Sequence, residues 1–241
     1  HVGIRLVPAT PTETQWDMIG DTPMIREVEA NLRATGVKVL DIEILRVKPD
    51  TRAINWKPFF ETGARLGASQ VLVAGNDPDY NRFCDNFAEL CEIAHPYGLT
   101  LNVEPMPWCD IATVKAAGDA MKRVNRPNAG VLVDPIHFFR ADNRYEDIDA
   151  LPPGSLHYCQ MCDITAERPK DMDGILYQAR NFRLSPGTGA ADLKTLLKHL
   201  PGLPISIEAC NAELALTLSP LDRARMYLED MVAVLNAAGE H

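Results

Sequence analysis

The sequence is short of basic residues. Against 33 Asp and Glu stand 24 Lys and Arg, a formal net charge of −9. No segment gathers Lys and Arg into the patch that phosphate neutralisation needs, so nucleic acid is not an expected partner. No stretch approaches the roughly 20 apolar residues of a membrane span, and no membrane partner is expected either. The opening residues, HVGIRLVPAT, lack a basic segment followed by an apolar run, so no secretory signal is read and a cytoplasmic location is expected. G-x-G-x-x-G and Walker loops are absent, which removes the usual phosphate cradles; Gly187-Thr188-Gly189 is too short to be one. The six cysteines fall in or just after apparent helices and strands, as reduced thiols do, and not in a loop-rich disulfide framework. Cys159 and Cys162 have no second pair at zinc-ribbon spacing. Residues three apart on a strand also face opposite ways, so this pair reads as packed thiols.

What is present is alternation. Short β-branched-rich runs recur at Val2–Val7, Val39–Val47, Gln70–Gly75, Thr100–Pro105, Gly130–Asp134, Leu156–Cys162 and Pro204–Ala209, as buried parallel strands should. Helical stretches are predicted between them at Pro23–Thr35, Trp56–Leu66, Pro78–Ala94, Ala112–Val124, Ala191–His199 and Pro220–Ala238. Asp77-Pro78 and Ser219-Pro220 carry cap-plus-proline start signals. Asp110 is a further candidate cap, and Gly36 and Gly98 read as stops. Strands alternating with helices imply a parallel sheet in one domain, residues 1–241. Seven strands are countable where a closed (β/α)8 TIM barrel needs eight, so a barrel lacking its first βα unit is expected, with an open doubly wound sheet as runner-up. The irregular stretch Ile164–Thr188 is expected to lie over the site as a lid or clamp.

Four of these strands end on residues of metal-ligand type: Glu104, Asp134, Gln160 and Glu208. Strand C-terminal ends collect on the active face of a barrel. The first three lie about one βα repeat of ~30 residues apart, and the last gap is longer by about the length of the extra loop. Three carboxylates and one amide delivered this way would hold a hard divalent cation.

The context of these residues resembles the xylose-isomerase-like TIM barrels, the sugar phosphate isomerase/epimerase superfamily. The resemblance rests on LNVEP with Glu104, VLVDPIHFF with Asp134 and His137, the Leu156–Asp163 strand, RLSPGTG at 183–189 and PISIE at 204–208. It implies metal ligation by Glu104, Asp134, Gln160 and Glu208, with Glu104 and Glu208 as proton carriers on opposite substrate faces. It also implies that His137 contacts substrate or relays a proton, and that Arg183 clamps substrate. Aligned on Asp163, Gln160 stands where epimerases commonly carry His. An all-oxygen set favours Mn²⁺ or Mg²⁺ over Zn²⁺ or Co²⁺.

The implied chemistry is proton abstraction beside a chelated carbonyl, giving an enediolate. Proton return gives epimerisation or aldose–ketose isomerisation. Loss of a β-hydroxyl gives dehydration of a keto-cyclitol or dehydroshikimate-like acid. The expected partner is therefore a small carbohydrate or keto-acid substrate, with a homo-oligomer in keeping with relatives. Trp108, just past the Glu104 strand, is a candidate ring-stacking residue, whereas Trp56 reads as packing. Arg5 and Glu43 are weaker strand-end candidates, Arg5 for a carboxylate or phosphate. An apurinic endonuclease would need a histidine-rich zinc site, and the only histidines are at 1, 95, 137, 157, 199 and 241. A non-catalytic barrel is the remaining alternative.

Overall fold

In a computed structural model, residues 1–10 and 12–239 are described; Pro11, Glu240 and His241, which the expected domain includes, lie outside the described residues. Seven strands occur among them: β1 Val2–Arg5, β2 Val39–Val47, β3 Gln70–Gly75, β4 Thr100–Val103, β5 Ala129–Val133, β6 Leu156–Met161 and β7 Ile205–Ile207. They follow one another in one sheet in sequence order. The pairings β1–β2, β2–β3, β3–β4, β4–β5 and β6–β7 are parallel. This is the strand–helix alternation of a TIM barrel with seven of its eight strands, as the sequence predicts. No helix among the described residues is long and apolar enough to cross a membrane.

Two compact units are distinguishable. The first holds β1 to β4, most of β5, and helices α1 (Pro23–Thr35), α2 (Lys57–Leu66) and α3 (Tyr80–Ala94). Helix α1 starts where Thr22 accepts from the Ile25 N–H with Pro23 behind it, and stops at Gly36 in the left-handed region, φ 71°. Helix α3 begins two residues later than predicted. Asp79, not Asp77, caps it, accepting from Asn81 and Arg82 N–H. Asp77 instead takes the Arg82 guanidinium at 2.6 and 2.8 Å. Val71 and Val73 of β3, Leu101 and Val103 of β4, and Phe83, Phe87 and Leu90 of α3 are fully buried, the β runs and the helical stripe meeting as their periods require.

The second unit holds the end of β5, β6, β7 and the helices after them. Helix α4 (Val114–Val124) begins in this unit and continues in the first. Its first N–H groups go to Asn143 and Thr113 side chains, so Asp110 is not its cap. The others are α5 (Pro135–Arg140), α6 (Tyr145–Asp149), α7 (Met172–Asn181), α8 (Leu193–Lys198), α9 (Ala212–Thr217) and α10 (Pro220–Ala238). Four of these, α5, α6, α7 and α9, were not predicted. Ser219 caps α10 through the Asp222 N–H, as expected. Cys159 of β6 packs with Val133, Leu196, Leu197, Met231 and Val234, whereas Cys162 packs with Ile136, Ile164 and Ala209. The two thiols thus occupy separate clusters, and all six cysteines are free.

The stretch expected as a lid is structured. Helix α7 occupies Met172–Asn181, and buried Arg140 ties down what precedes it. Its Nε donates to Gln178 at 2.8 Å and its Nη2 to the Thr165 carbonyl at 2.8 Å, while Gln178 Nε2 donates to Thr165 Oγ1 at 2.6 Å. These contacts order the segment on α5 and α7.

Asp41 of β2 carries a testable cost. It is 1% exposed, and its Oδ1 has no hydrogen-bond partner among the described residues. Burial, and after it the Glu43 carboxylate, raise its pKa to about 7. The folded state therefore holds a proton that the unfolded state releases near 3.8. Its stability contribution is lost as pH rises from about 4 through about 7. Asp41→Asn should remove that slope and raise Tm at pH 8 more than at pH 5, read by thermal melts at both.

Candidate active site

The four sequence-predicted ligands stand where β strands end. Glu104 directly follows β4 in the first unit and is buried, its N–H donating to the Val73 carbonyl at 2.9 Å. In the second unit Asp134 follows β5, Gln160 is the penultimate residue of β6, and Glu208 follows β7. The β6–β7 register pairs Gln160 with Ser206 and Met161 with Ile207, and the Glu208 N–H donates to Met161 at 3.0 Å.

Asp134 does two jobs locally. It caps α5, with Oδ1 accepting from the Ile136 N–H at 2.9 Å and Pro135 in the first turn. That cap puts His137 three residues on, in the same first turn. Each can offer a ligand atom, and these atoms lie within 4.8 Å of one another. His137 is 2% exposed and meets Trp108 edge-on, ring centroids 5.0 Å apart. Sequence reasoning gave His137 no metal-ligand role; its spacing from Asp134 on a DP-capped turn was the available signal.

Arg183 joins the carboxylates. Its Nη1 lies 2.6 Å from Asp134 Oδ2 and 3.0 Å from Glu208 Oε2, donates to the Glu208 carbonyl at 3.0 Å, and lies 3.8 Å from Cys162 Sγ. Its Nε donates to Ala179 at 2.6 Å. At 4% exposure, this guanidinium is engaged by protein carboxylates, where the sequence reading had expected it to clamp substrate. Burial pushes the Asp134 carboxyl up, but the Arg183 charge, with His137, outweighs that and holds it below the usual range. Burial disfavours the charged guanidinium, but Asp134 and Glu208 keep Arg183 firmly protonated. Burial, opposed by Asp134 and reinforced by Arg183, lowers His137 to about 4. Burial first, then the Asp134 charge, keeps the Cys162 thiol protonated.

The loop that delivers Arg183 is organised by one buried side chain. Asp163 Oδ1 accepts from Ile164 and Ala191 N–H at 2.8 and 2.9 Å, and Oδ2 from Gly187 and Gly189 at 3.0 and 2.9 Å. Its backbone pairs with Leu184 in an antiparallel bridge. A Cβ at Gly189 would lie 2.5 Å from Asp163 Oδ1 and 2.3 Å from the Ile164 carbonyl, so only glycine lets the loop close this tightly. Sequence reasoning used Asp163 only to align the strand; its role as an acceptor for four N–H groups depends on the loop folding back.

Gln160 differs from its neighbours. Its side chain is 2% exposed, and Oε1 is buried with no hydrogen-bond partner among the described residues. Such an orphaned carbonyl costs roughly 1–3 kcal/mol unless something pairs with it, and it is the atom an oxygen-seeking cation would take. With Asp134 and Glu208 carboxylates in the same unit, the donor set fits a hard divalent ion.

Residues 3–233 match the family model described as xylose isomerase-like TIM barrel. Among curated proteins, the 3-dehydroshikimate dehydratase of Pseudomonas aeruginosa is 28% identical over 164 residues, 63% of this chain and 25% of that protein. An inosose isomerase of Bacillus licheniformis is 32% identical over 120 residues, 49% of this chain and 41% of that protein. The chain thus matches less than half the length of either. The crystal structure of an IOLI protein with a bound zinc atom superimposes with TM-score 0.74 at 22% identity, covering 90% of this chain and 83% of that one.

Two outcomes are expected here. Arg183→Met should leave two carboxylates without their cation and lower stability by about 3–5 kcal/mol at pH 7, measured by urea unfolding. Since His137 titrates near 4 when folded and near 6.5 when unfolded, its contribution falls as pH drops from about 6.5 through 4. NMR of the metal-free chain should show His137 neutral at pH 6.

Proposed function

Because the chain belongs to the xylose isomerase-like TIM barrel family, we propose that it is a divalent-metal-dependent isomerase or epimerase of a small sugar or cyclitol carrying a carbonyl beside a hydroxyl. The 241 residues would act as one domain. The observation that carries this is the buried, unpartnered Gln160 Oε1 in the unit where Asp134 and Glu208 converge on one guanidinium. Glu104, Asp134, Gln160 and Glu208 would hold the ion, with His137 a further ligand candidate beside Asp134. An oxygen-rich set points to Mn²⁺ or Mg²⁺; the zinc atom in the similar IOLI structure keeps Zn²⁺ among the ions to test.

When bound, the ion would supply Lewis-acid polarisation of the substrate carbonyl. The chain's own part is proton transfer. The Glu208 carboxylate, one-fifth exposed at its side chain, would take the proton from the carbon next to the carbonyl, and Glu104 would return one on the other face. Arg183, 3.0 Å from Glu208 Oε2, fixes its position by charge-assisted hydrogen bonding. His137, neutral near pH 7, is suited to hydrogen-bond a substrate hydroxyl without adding charge. The Trp108 ring at its edge would exclude water from that hydroxyl.

A dehydratase is the second reading, favoured by Gln160 itself and by the likeness to the Pseudomonas dehydratase. The same abstraction would then end in loss of a β-hydroxyl as water. The two separate in D₂O with Mn²⁺ present. The isomerase reading expects deuterium to enter the carbon next to the carbonyl of an inosose or ketose, seen by NMR, and Glu208→Gln to slow it by at least ~100-fold. Formation of a conjugated product absorbing in the ultraviolet, without deuterated epimer or isomer, would transfer the assignment to the dehydratase.

A further inference from the structure

Helix α5 has six residues. A helix that short does not hold itself in place, so its position is set by what it is tied to. Its last residue, Arg140, is 5% exposed, and its guanidinium is received by neutral oxygens alone. Nε donates to Gln178 Oε1 at 2.8 Å, and Nη2 to the Thr165 carbonyl at 2.8 Å, Thr165 Oγ1 at 3.3 Å and the Glu167 carbonyl at 3.4 Å. A buried cation with neutral acceptors only depends on each of them. Gln178, itself 4% exposed, has a double part. It accepts from Arg140, and its Nε2 donates to Thr165 Oγ1 at 2.6 Å, steadying a second Arg140 acceptor. Arg168 adds a tie at the same end of α5, donating from Nη2 to the Arg140 carbonyl at 2.7 Å. The other end of α5 is the candidate site, with Asp134 as its cap and His137 in its first turn. Asp134 is also held by Arg183, whose Nε rests on the carbonyl of Ala179, the residue after Gln178. Ile136 of α5 and Ala179 share one buried apolar cluster. Two successive residues of α7 thus reach Asp134 by two routes.

We infer that Gln178 is a positioning residue for the candidate metal site: through Arg140 it fixes α5, and with α5 the place of Asp134 and His137. Its side chain bonds Arg140 and Thr165 and none of the ligand-type oxygens, so its effect is on placement. Without the amide, a charged N–H would stay buried with no acceptor. Arg140 relieves that cost by turning towards solvent, and the end of α5 shifts with it. The Asp134 cap at the other end then loosens, because the same short helix supplies the N–H groups that it receives. A carboxylate in place of the amide would still accept from Arg140, with a charge-assisted bond. The functional meaning of this link rests on the metal-enzyme reading; the link between α7 and α5 does not.

The test compares wild type, Gln178→Leu and Gln178→Glu as full chains. Amide hydrogen exchange of the metal-free proteins, read by NMR well below Tm, follows Ile136 and Phe138. Their N–H groups donate to Asp134 Oδ1 at 2.9 Å and to the Asp134 carbonyl at 2.8 Å. Gln178→Leu should speed both about tenfold, as a local opening does. The Cys159 N–H, bonded to the Pro204 carbonyl at 3.0 Å in the same unit, should change by no more than about twofold. Gln178→Glu should return Ile136 and Phe138 close to wild-type rates. Isothermal titration with Mn²⁺ should then give an affinity about tenfold weaker for Gln178→Leu and near wild type for Gln178→Glu. Unchanged exchange at Ile136 and Phe138 in Gln178→Leu would overturn the inference. So would equal acceleration at Cys159, which marks a general loss of stability, failure of Gln178→Glu to rescue, or equal Mn²⁺ affinity in wild type and Gln178→Leu. The exchange pattern as described in a wild type that binds no Mn²⁺ would uphold the link and count against the metal-enzyme reading alone.

Discussion

The buried guanidinium of Arg183 is the contact on which the second unit's candidate site depends. It satisfies Asp134 and Glu208 at once, from strand ends β5 and β7, while its Nε is fixed on α7. Two carboxylates facing one another in a desolvated place repel, and burial alone would push them toward protonation. One cation between them keeps Asp134 ionised and both side chains converged. Buried ion pairs of this kind are weak evidence for net stability, because desolvation offsets much of the attraction. Their effect is on geometry: the Asp134 and Glu208 oxygens are held converged on one guanidinium.

Arg183 is itself placed by Asp163. Four backbone N–H groups on the Asp163 carboxylate, with the Leu184 bridge, fold the PGTG turn against β6. Gly189 permits that approach. The chain of dependence runs from Asp163, two residues past β6, to a loop, from the loop to a cation, and from the cation to two candidate ligands. Ser185 Oγ, hydrogen-bonded to Asp230 on α10 at 2.5 Å, ties the same loop to the last helix. A perturbation at Asp163 would thus be felt at Asp134 and Glu208 without touching either.

Much of this was legible in the sequence. The seven strands lie where β-branched runs alternate with helical periodicity, because burial on both faces of a parallel sheet leaves apolar runs with little else to read them as. Glu104, Asp134, Gln160 and Glu208 stood out since a charged or amide residue ending such a run has few structural reasons to be there. The short helices were missed for the converse reason. Helix α5 has six residues and α9 six, too few for a 3.6-residue period to declare itself, although Asp134-Pro135 carries the same start signal that marked α10. Helix α7 was hidden in a charged, proline- and glycine-containing stretch. What sequence could not give was pairing across distance: Arg183 with Asp134 and Arg140 with Gln178, 49 and 38 residues apart, follow from how strand ends and loops meet. The pairing of Arg5 with Glu43, 38 residues on, was hidden for the same reason.

The central claim is that oxygen ligands at strand ends, held in place by Arg183, form a divalent-metal site. Crystals of the full chain soaked in Mn²⁺ and measured at the manganese absorption edge test it most directly. The account predicts one strong anomalous peak within metal–oxygen bonding distance of Gln160 Oε1 and of the Asp134 and Glu208 carboxylates. A saturated soak with no peak there, and with Gln160 Oε1 still unpartnered, would contradict it.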